Sequence, residues 1–331
     1  MTMRNYYFAA PLLAALFGSA PAFAEPIICP DIPAAEEGSA SDQYFVGKAY
    51  DEGYCGIAAD KKEAEHWYRT AAEHGHALAQ YELAETYFTG DGVAVDYPEA
   101  KKWYQQAASH GHGLSQLRLG FLNAEAHFPG LTTNYTEAEN WFAKAAEQNA
   151  GDARFRLGNF YNNYKQPPDF EKGYYWLKLA AEGGHRVAMF DLARVLLEGK
   201  GTAINIKDGV AWMTKAAEAD ILQAQMSLAE MYAIGKYTAK NPAESLKWTL
   251  RIANKPTASV FYLAMAGDLF FEGKEGVPRN YPTARKYYER AAEKGDAHAL
   301  EQLARMYEEG LGVGKSPARA TEYRKKATAL K

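Results

Sequence analysis

The sequence predicts an all-α solenoid of about eight stacked helix pairs, and three observations predict it. The six tryptophans, Trp67, Trp103, Trp141, Trp176, Trp212 and Trp248, follow one another at steps of 36, 38, 35, 36 and 36 residues. Two segments of helical period alternate around them. Glycine-rich loops such as Thr89-Gly90-Asp91-Gly92-Val93 join the first segment of a pair to the second. One such pair cannot bury its own apolar stripe, so neighbours must stack.

The chain opens on a leader-like stretch. Arg4 precedes an apolar run from Phe8 to Phe17, and Ala22-Phe23-Ala24 has the small-x-small form of a signal-peptidase site. Residues 1–24 are therefore expected to be removed on export, giving a periplasmic protein. No later run is long and apolar enough for a membrane span. Residues 25–40 read as an extended arm rich in Pro, Ala and Ser, and residues 41–331 as the solenoid. An oxidising compartment favours a bond between Cys29 in the arm and Cys55 in the first loop. That bond would contribute about 3 kcal/mol.

The first helix of a pair is exemplified by Ala77 to Tyr87. Its Ala79, Leu83, Ala84 and Tyr87 form one stripe. Gly90 and Gly310 follow such helices, where a left-handed residue is wanted. Pro98, Pro242, Pro282 and Pro317 open second helices, where a missing N–H costs nothing. In the second helix, Ala64, Trp67, Ala71 and Ala72 form the stripe. Alanine lets axes approach, and each Trp is expected to be buried in the core. Tyr287 and Tyr323 continue the Trp series. The pairs run from about Ser41 to Ala329. The third loop, Asn123 to Asn134, and the stretch Asn254-Lys255-Pro256 depart from the pattern.

These residues resemble the Sel1-like repeat, a relative of the tetratricopeptide repeat. The likeness rests on Tyr87-x-x-Gly90-x-Gly92-Val93-x-x-Asp96, on Ala100-x-x-Trp103-Tyr104-x-x-Ala107-Ala108, and on Gly75-His76-Ala77-x-Ala79-Gln80. It covers nearly all of the chain beyond the leader. The resemblance implies a right-handed α-α superhelix whose first helices line a concave face. It also implies a scaffold or adaptor role in protein complexes, as in exported relatives that regulate sensor kinases, serve envelope stress responses or contact a host.

The sequence carries little chemistry. Its composition, 47% hydrophobic and 24% charged, is that of a folded chain, and its net charge of −4 gives no basic surplus for nucleic acid. Gly310-Leu311-Gly312-Val313-Gly314-Lys315-Ser316 resembles a phosphate loop, but Glu309 stands where the pattern needs glycine and a helix precedes it. His74, His76, His110 and His112 could meet across one repeat, yet they occupy the repeat's own turn, and capping is the expected role. No metal or cofactor is expected. No Ser-x-x-Lys or Gly-x-Ser-x-Gly occurs. Glu63, Glu65 and Glu99 read as solvated faces, and no pair of acids stands out as forced to different pKa values.

What remains is the surface of the first helices, aligned on Leu83, Leu119, Leu157, Leu192, Leu228 and Leu303. Units three to five place Arg118, Phe121, Arg154, Arg156, Asn159, Phe160 and Arg194 there, a basic and aromatic patch in an acidic chain. Arginine and aromatic residues anchor protein interfaces. The expectation is a non-enzymatic periplasmic adaptor whose patch receives an acidic or extended segment of another envelope protein, regulating a signalling or cell-wall system. A cell-wall or β-lactam hydrolase and a secreted virulence factor that binds host protein are the alternatives.

Overall fold

The computed structural model describes residues 29–148, 151–273 and 276–330. The expected leader, residues 1–24, lies outside them. The described elements are all helices. A single turn, α1 (Ile32–Glu36), precedes eight pairs: α2 (Ala40–Glu52) and α3 (Lys61–Glu73), α4 (Ala77–Thr89) and α5 (Tyr97–Ser109), α6 (Gly113–Ala124) and α7 (Tyr135–Glu147), α8 (Gly151–Asn163) and α9 (Phe170–Glu182). The series continues with α10 (Arg186–Glu198) and α11 (Ile206–Glu218), α12 (Leu222–Ile234) and α13 (Pro242–Ala253), α14 (Val260–Glu272) and α15 (Tyr281–Glu293), α16 (Ala297–Glu309) and α17 (Pro317–Ala329). The chain forms two compact units, Met1–Ser115 and Gln116–Lys331. In the first, each helix from α1 to α5 packs on the next; in the second, each does so from α7 onward. The fold is an all-α solenoid.

The arm is not extended throughout, as the sequence suggested. Asp31 caps α1 by accepting a bond from the Ala34 amide, and a proline sits in its first turn. Ala35 is buried with Val46 and Trp67. A short apolar helix thus covers the end of the first pair, which an extended strand could not. Cys29 and Cys55 are disulfide-bonded, with Cα atoms 5.5 Å apart and 26 residues between them in sequence.

The hairpins close in a common way. Except in the third and fourth pairs, the first helix ends at a left-handed glycine, with φ of 80° at Gly90 and 79° at Gly310. The chain then crosses to an N-cap Asp, Asn or Ser whose side chain accepts from the new helix, as at Asp96, Asn134, Asn205 and Ser316. The amide of that same residue donates back to the first helix, Asp96 to Tyr87 O at 2.9 Å and Ser316 to Tyr307 O at 2.8 Å. The phosphate-loop-like stretch is one of these repeat loops.

The tryptophans do not all behave as expected. Trp67, Trp103 and Trp248 are buried, but Trp141, Trp176 and Trp212 are only half-buried. The residue after the Trp is the constant plug: Tyr68, Tyr104, Phe142, Leu177, Met213, Thr249 and Tyr288 are all at most 2% exposed. Adjacent helical residues point about 100° apart, so both cannot face the centre of a pair. The plug takes the centre and the Trp the flank. Lys144 and Lys215 lie over the Trp141 and Trp212 rings, at 4.5 and 3.9 Å from the centroids.

A small residue on the first helix receives each plug. It is Gly47, Ala84, Gly120, Gly158, Ala193, Ala229 or Gly267. A Cβ on Gly267 would stand 2.5 Å from the Tyr288 ring. Alanine in place of an interior helical glycine ordinarily gains about 0.5–1 kcal/mol. Gly267→Ala is instead expected to cost about 1–3 kcal/mol through overpacking. Urea unfolding checks the sign, and a gain in stability would contradict this packing.

Candidate interaction face

The plugs explain where functional side chains can sit. The Tyr104 hydroxyl donates to Glu85 Oε1 at 2.5 Å, and the Tyr288 hydroxyl to Asp268 Oδ1 at 2.7 Å. A buried phenol needs an acceptor, and the first helix supplies an acid two residues beyond the aligned position of Leu83. In the third, fourth and fifth pairs the plugs are Phe142, Leu177 and Met213, which have no hydroxyl. The equivalent positions hold Phe121, Asn159 and Arg194; no phenol needs an acceptor there, and Phe121 packs partly on the core.

These three residues line a cavity of about 420 Å³ in the second unit. Arg156, Asn162, Asn163, Tyr164, Asp191 and Glu198 line it too. The Arg156 guanidinium lies 4.8 Å from the Phe121 centroid, and Phe121 meets Phe142 edge-on at 5.4 Å. The Arg156 Nε is buried without a hydrogen-bond acceptor; Asp152 Oδ1 is 3.7 Å away. Arg194 pairs with Glu198 at 3.7 Å. Gly173 makes room for Asn162, since a Cβ there would fall 1.9 Å from its Oδ1.

Four of the seven patch residues named from sequence, Phe121, Arg156, Asn159 and Arg194, reach this cavity with exposed surface. Phe160 touches it only as a core residue, 1% exposed. It lies at the register of Leu122, Val195, Met231 and Met306, all buried, and packs on Phe142. Arg118 is on the same face but does not line the cavity. Arg154 is not on the face at all. It falls at the register of Gln43, Gln80, Gln116 and Gln225, which is the joint between repeats. There Gln43 meets His74 Nδ1 at 2.8 Å, Gln80 meets His110 Nδ1 at 3.2 Å, and Gln148 donates to Gln116 at 2.9 Å. In the fourth pair the partner position is Gly183, which has no side chain to offer, and the Arg154 Nε is buried and unbonded.

Three other histidines cap helices. His76 and His185 accept at Nδ1 from the Ala79 and Ala188 amides, at 3.2 and 3.1 Å, and His112 engages Ser115 at 2.8 Å. Among the described residues, no three His, Cys, Asp or Glu side chains are placed to hold a metal. Two acids read as solvated are engaged instead: Glu65 accepts from Tyr87 at 3.0 Å, and Glu99 from the Trp103 indole at 2.8 Å.

Asp152 and Asp191 have environments that differ, a difference not legible in the sequence. Burial pushes the Asp152 carboxyl up, but His185 and Arg156 outweigh it and hold it below its usual range. Burial pushes the Asp191 carboxyl up to about 6, against the pull of Arg194 and His185. The folded state therefore binds the Asp191 proton more tightly than the unfolded chain. Stability falls as pH rises from about 4 to about 6, and the penalty is complete above that. Asp191→Asn is expected to gain about 1–2 kcal/mol at pH 7 and nothing at pH 3, after discount for partial solvation. Thermal unfolding at the two pH values checks it.

The Sel1 repeat profile matches eight consecutive segments, residues 40–76, 77–112, 113–149, 151–185, 186–221, 222–256, 258–296 and 297–331. A Sel1 repeat protein from Oxalobacter formigenes is similar in structure, with a TM-score of 0.65 and 29% identity over 90% of this chain and 85% of that one. The antigen c5321 from uropathogenic Escherichia coli, of the SLR fold, is similar with a TM-score of 0.64 and 26% identity, over 89% and 70%. No curated protein matches the chain.

Proposed function

We propose that this chain, which belongs to the Sel1 repeat family, is a non-catalytic scaffold that binds a partner protein on the face of α6, α8 and α10. Sel1 repeat proteins are generally protein-interaction scaffolds. One observation carries the choice of face. Three successive first helices present an aromatic ring, two arginines and asparagine amides to one cavity, and the Arg156 Nε there is buried without an acceptor. Polar groups left half-buried without partners are costly unless a ligand satisfies them.

The place of action in this reading is an oxidising compartment, the periplasm. The Cys29–Cys55 bond supports it, and no helix among the described residues is long and apolar enough to cross a membrane. The partner is an envelope protein of a signalling or cell-wall system. The likeness to c5321, described as a protective antigen of uropathogenic strains, favours a second reading in which the chain meets a host protein. Recovery of the chain from culture medium rather than periplasm would select that second reading.

A photo-crosslinking residue at Asn163, on the face, and another at Lys178, exposed on α9, test the binding role. Adducts from position 163 and none from 178 are expected. The reverse pattern refutes the assigned face.

A further inference from the structure

The proposed face is a three-by-three grid. α6 contributes Arg118 and Phe121, with Glu125 just past its end; α8 contributes Arg156, Asn159 and Asn163; α10 contributes Asp191, Arg194 and Glu198. On each helix the members are three and then four residues apart, which makes one stripe. The rows differ in charge. The row nearest the helix starts holds Arg118 and Arg156 against Asp191, whose carboxyl is itself pushed up by burial. The middle row holds Phe121, Asn159 and Arg194. The last row holds Glu125, Asn163 and Glu198. The face thus runs from positive to negative along α8. From Arg156 to Asn163 the helix rises about 10 Å, the span of three residues of extended chain at about 3.3 Å each.

We propose that the occupant is an extended segment of the partner protein, lying along α8, with an acidic and a basic side chain three positions apart. The acid sits between Arg156 and Arg194, and the base between Glu125 and Glu198. The Asn159 amide meets the peptide backbone between them. This rests on the scaffold reading above and gives the chemistry of its ligand. Two contacts within the grid give way to the ligand: Arg194 pairs with Glu198 at 3.7 Å, and the Tyr164 hydroxyl bonds Glu125. Asp152 lies 3.7 Å from Arg156 but is shared with His185, at 3.6 Å. Lys200, at the rim, is turned onto the Phe170 ring at 4.9 Å. His127 lies 3.1 Å from Glu125, which keeps about a quarter of its side chain exposed (24%). A saccharide fits less well, because it needs an open aromatic face. Phe121 is covered by Arg156.

The full chain is titrated with a labelled, end-blocked peptide, Gly-Glu-Ala-Ala-Lys-Gly, and binding is read by fluorescence anisotropy. Replacing the peptide's Glu or its Lys by Gln is expected to weaken binding about tenfold, as loss of a charge-assisted contact does. Arg156→Glu should lose the parent peptide and gain one carrying Lys at both charged positions. Glu198→Lys should favour the peptide carrying Glu at both. Melting temperatures of the variants establish that they are folded. The proposal is overturned if all peptides bind alike, if none binds at about 1 mM, or if an oligosaccharide binds where the peptide does not. The crosslinks from position 163 separate the two levels. Adducts mapping to a segment without such a charge pair overturn this inference and leave the scaffold reading standing; no adducts on this face overturn both.

Discussion

Trp248→Ala is expected to cost about 3–5 kcal/mol, and Trp212→Ala clearly less. The two residues hold the same place in the repeat, so periodicity alone would make them equal. Packing separates them. Trp248 is 1% exposed within the cluster of Ala229, Ile252 and Tyr262. Trp212 lies at the edge of that cluster, half-buried, with Lys215 across its ring. The same logic applies inside α7, where Phe142→Ala should cost more than Trp141→Ala. Phe142 touches both Phe121 and Phe160, whereas Trp141 is flanked by solvent and Lys144. Urea unfolding followed by far-UV circular dichroism gives the four values. Equal losses at Trp248 and Trp212 would contradict the plug register.

Cys55→Ser is expected to cost about 3 kcal/mol in the first unit. A loop of 26 residues is closed by the Cys29–Cys55 bond, and releasing it returns chain entropy to the unfolded state. The loss should extend beyond entropy in one respect. α1 is too short to persist alone, and its Ala35 covers Val46 and Trp67. Without the bond, the arm should become the first site of proteolysis. Reductant added to the unsubstituted chain should reproduce the shift in melting, and an unchanged melting curve under reduction would refute this stabilising role.

The fold was legible because its signals recur. A glycine that must be left-handed, a proline or Asx at a helix start and a large aromatic in the second helix recur from pair to pair, the glycine failing only in the third and fourth. Gly90, Pro98 and Trp103 would be weak evidence singly and are strong as a period. The partition between core and face was less legible. Trp141 and Phe142 are adjacent and both large, and only three-dimensional packing decides which one faces inward. Phe160 looked like surface beside Asn159, although its register with Leu122, Val195 and Met231 marks it as core. Arg154 was drawn into the patch by its charge, whereas its register with Gln80 and Gln225 places it at the joint. Glu125, Asn163 and Glu198 were missed because the alignment stopped one turn early. Asp152 and Asp191 gave no signal, since their shifted pKa values come from burial and from His185, which the sequence does not place beside them.

The central claim is that the polar cavity face of α6, α8 and α10 binds a protein partner. It is tested most directly by charge reversal with a folded control. Arg156→Glu and Arg194→Glu, and separately Lys178→Glu on the outer helix α9, are introduced into the full chain, and the partner crosslinked from position 163 is quantified. The account predicts loss of that adduct in the first two variants, retention in the third, and a similar melting temperature in all. Retention of the adduct in Arg156→Glu and Arg194→Glu, or its loss in Lys178→Glu, would contradict it.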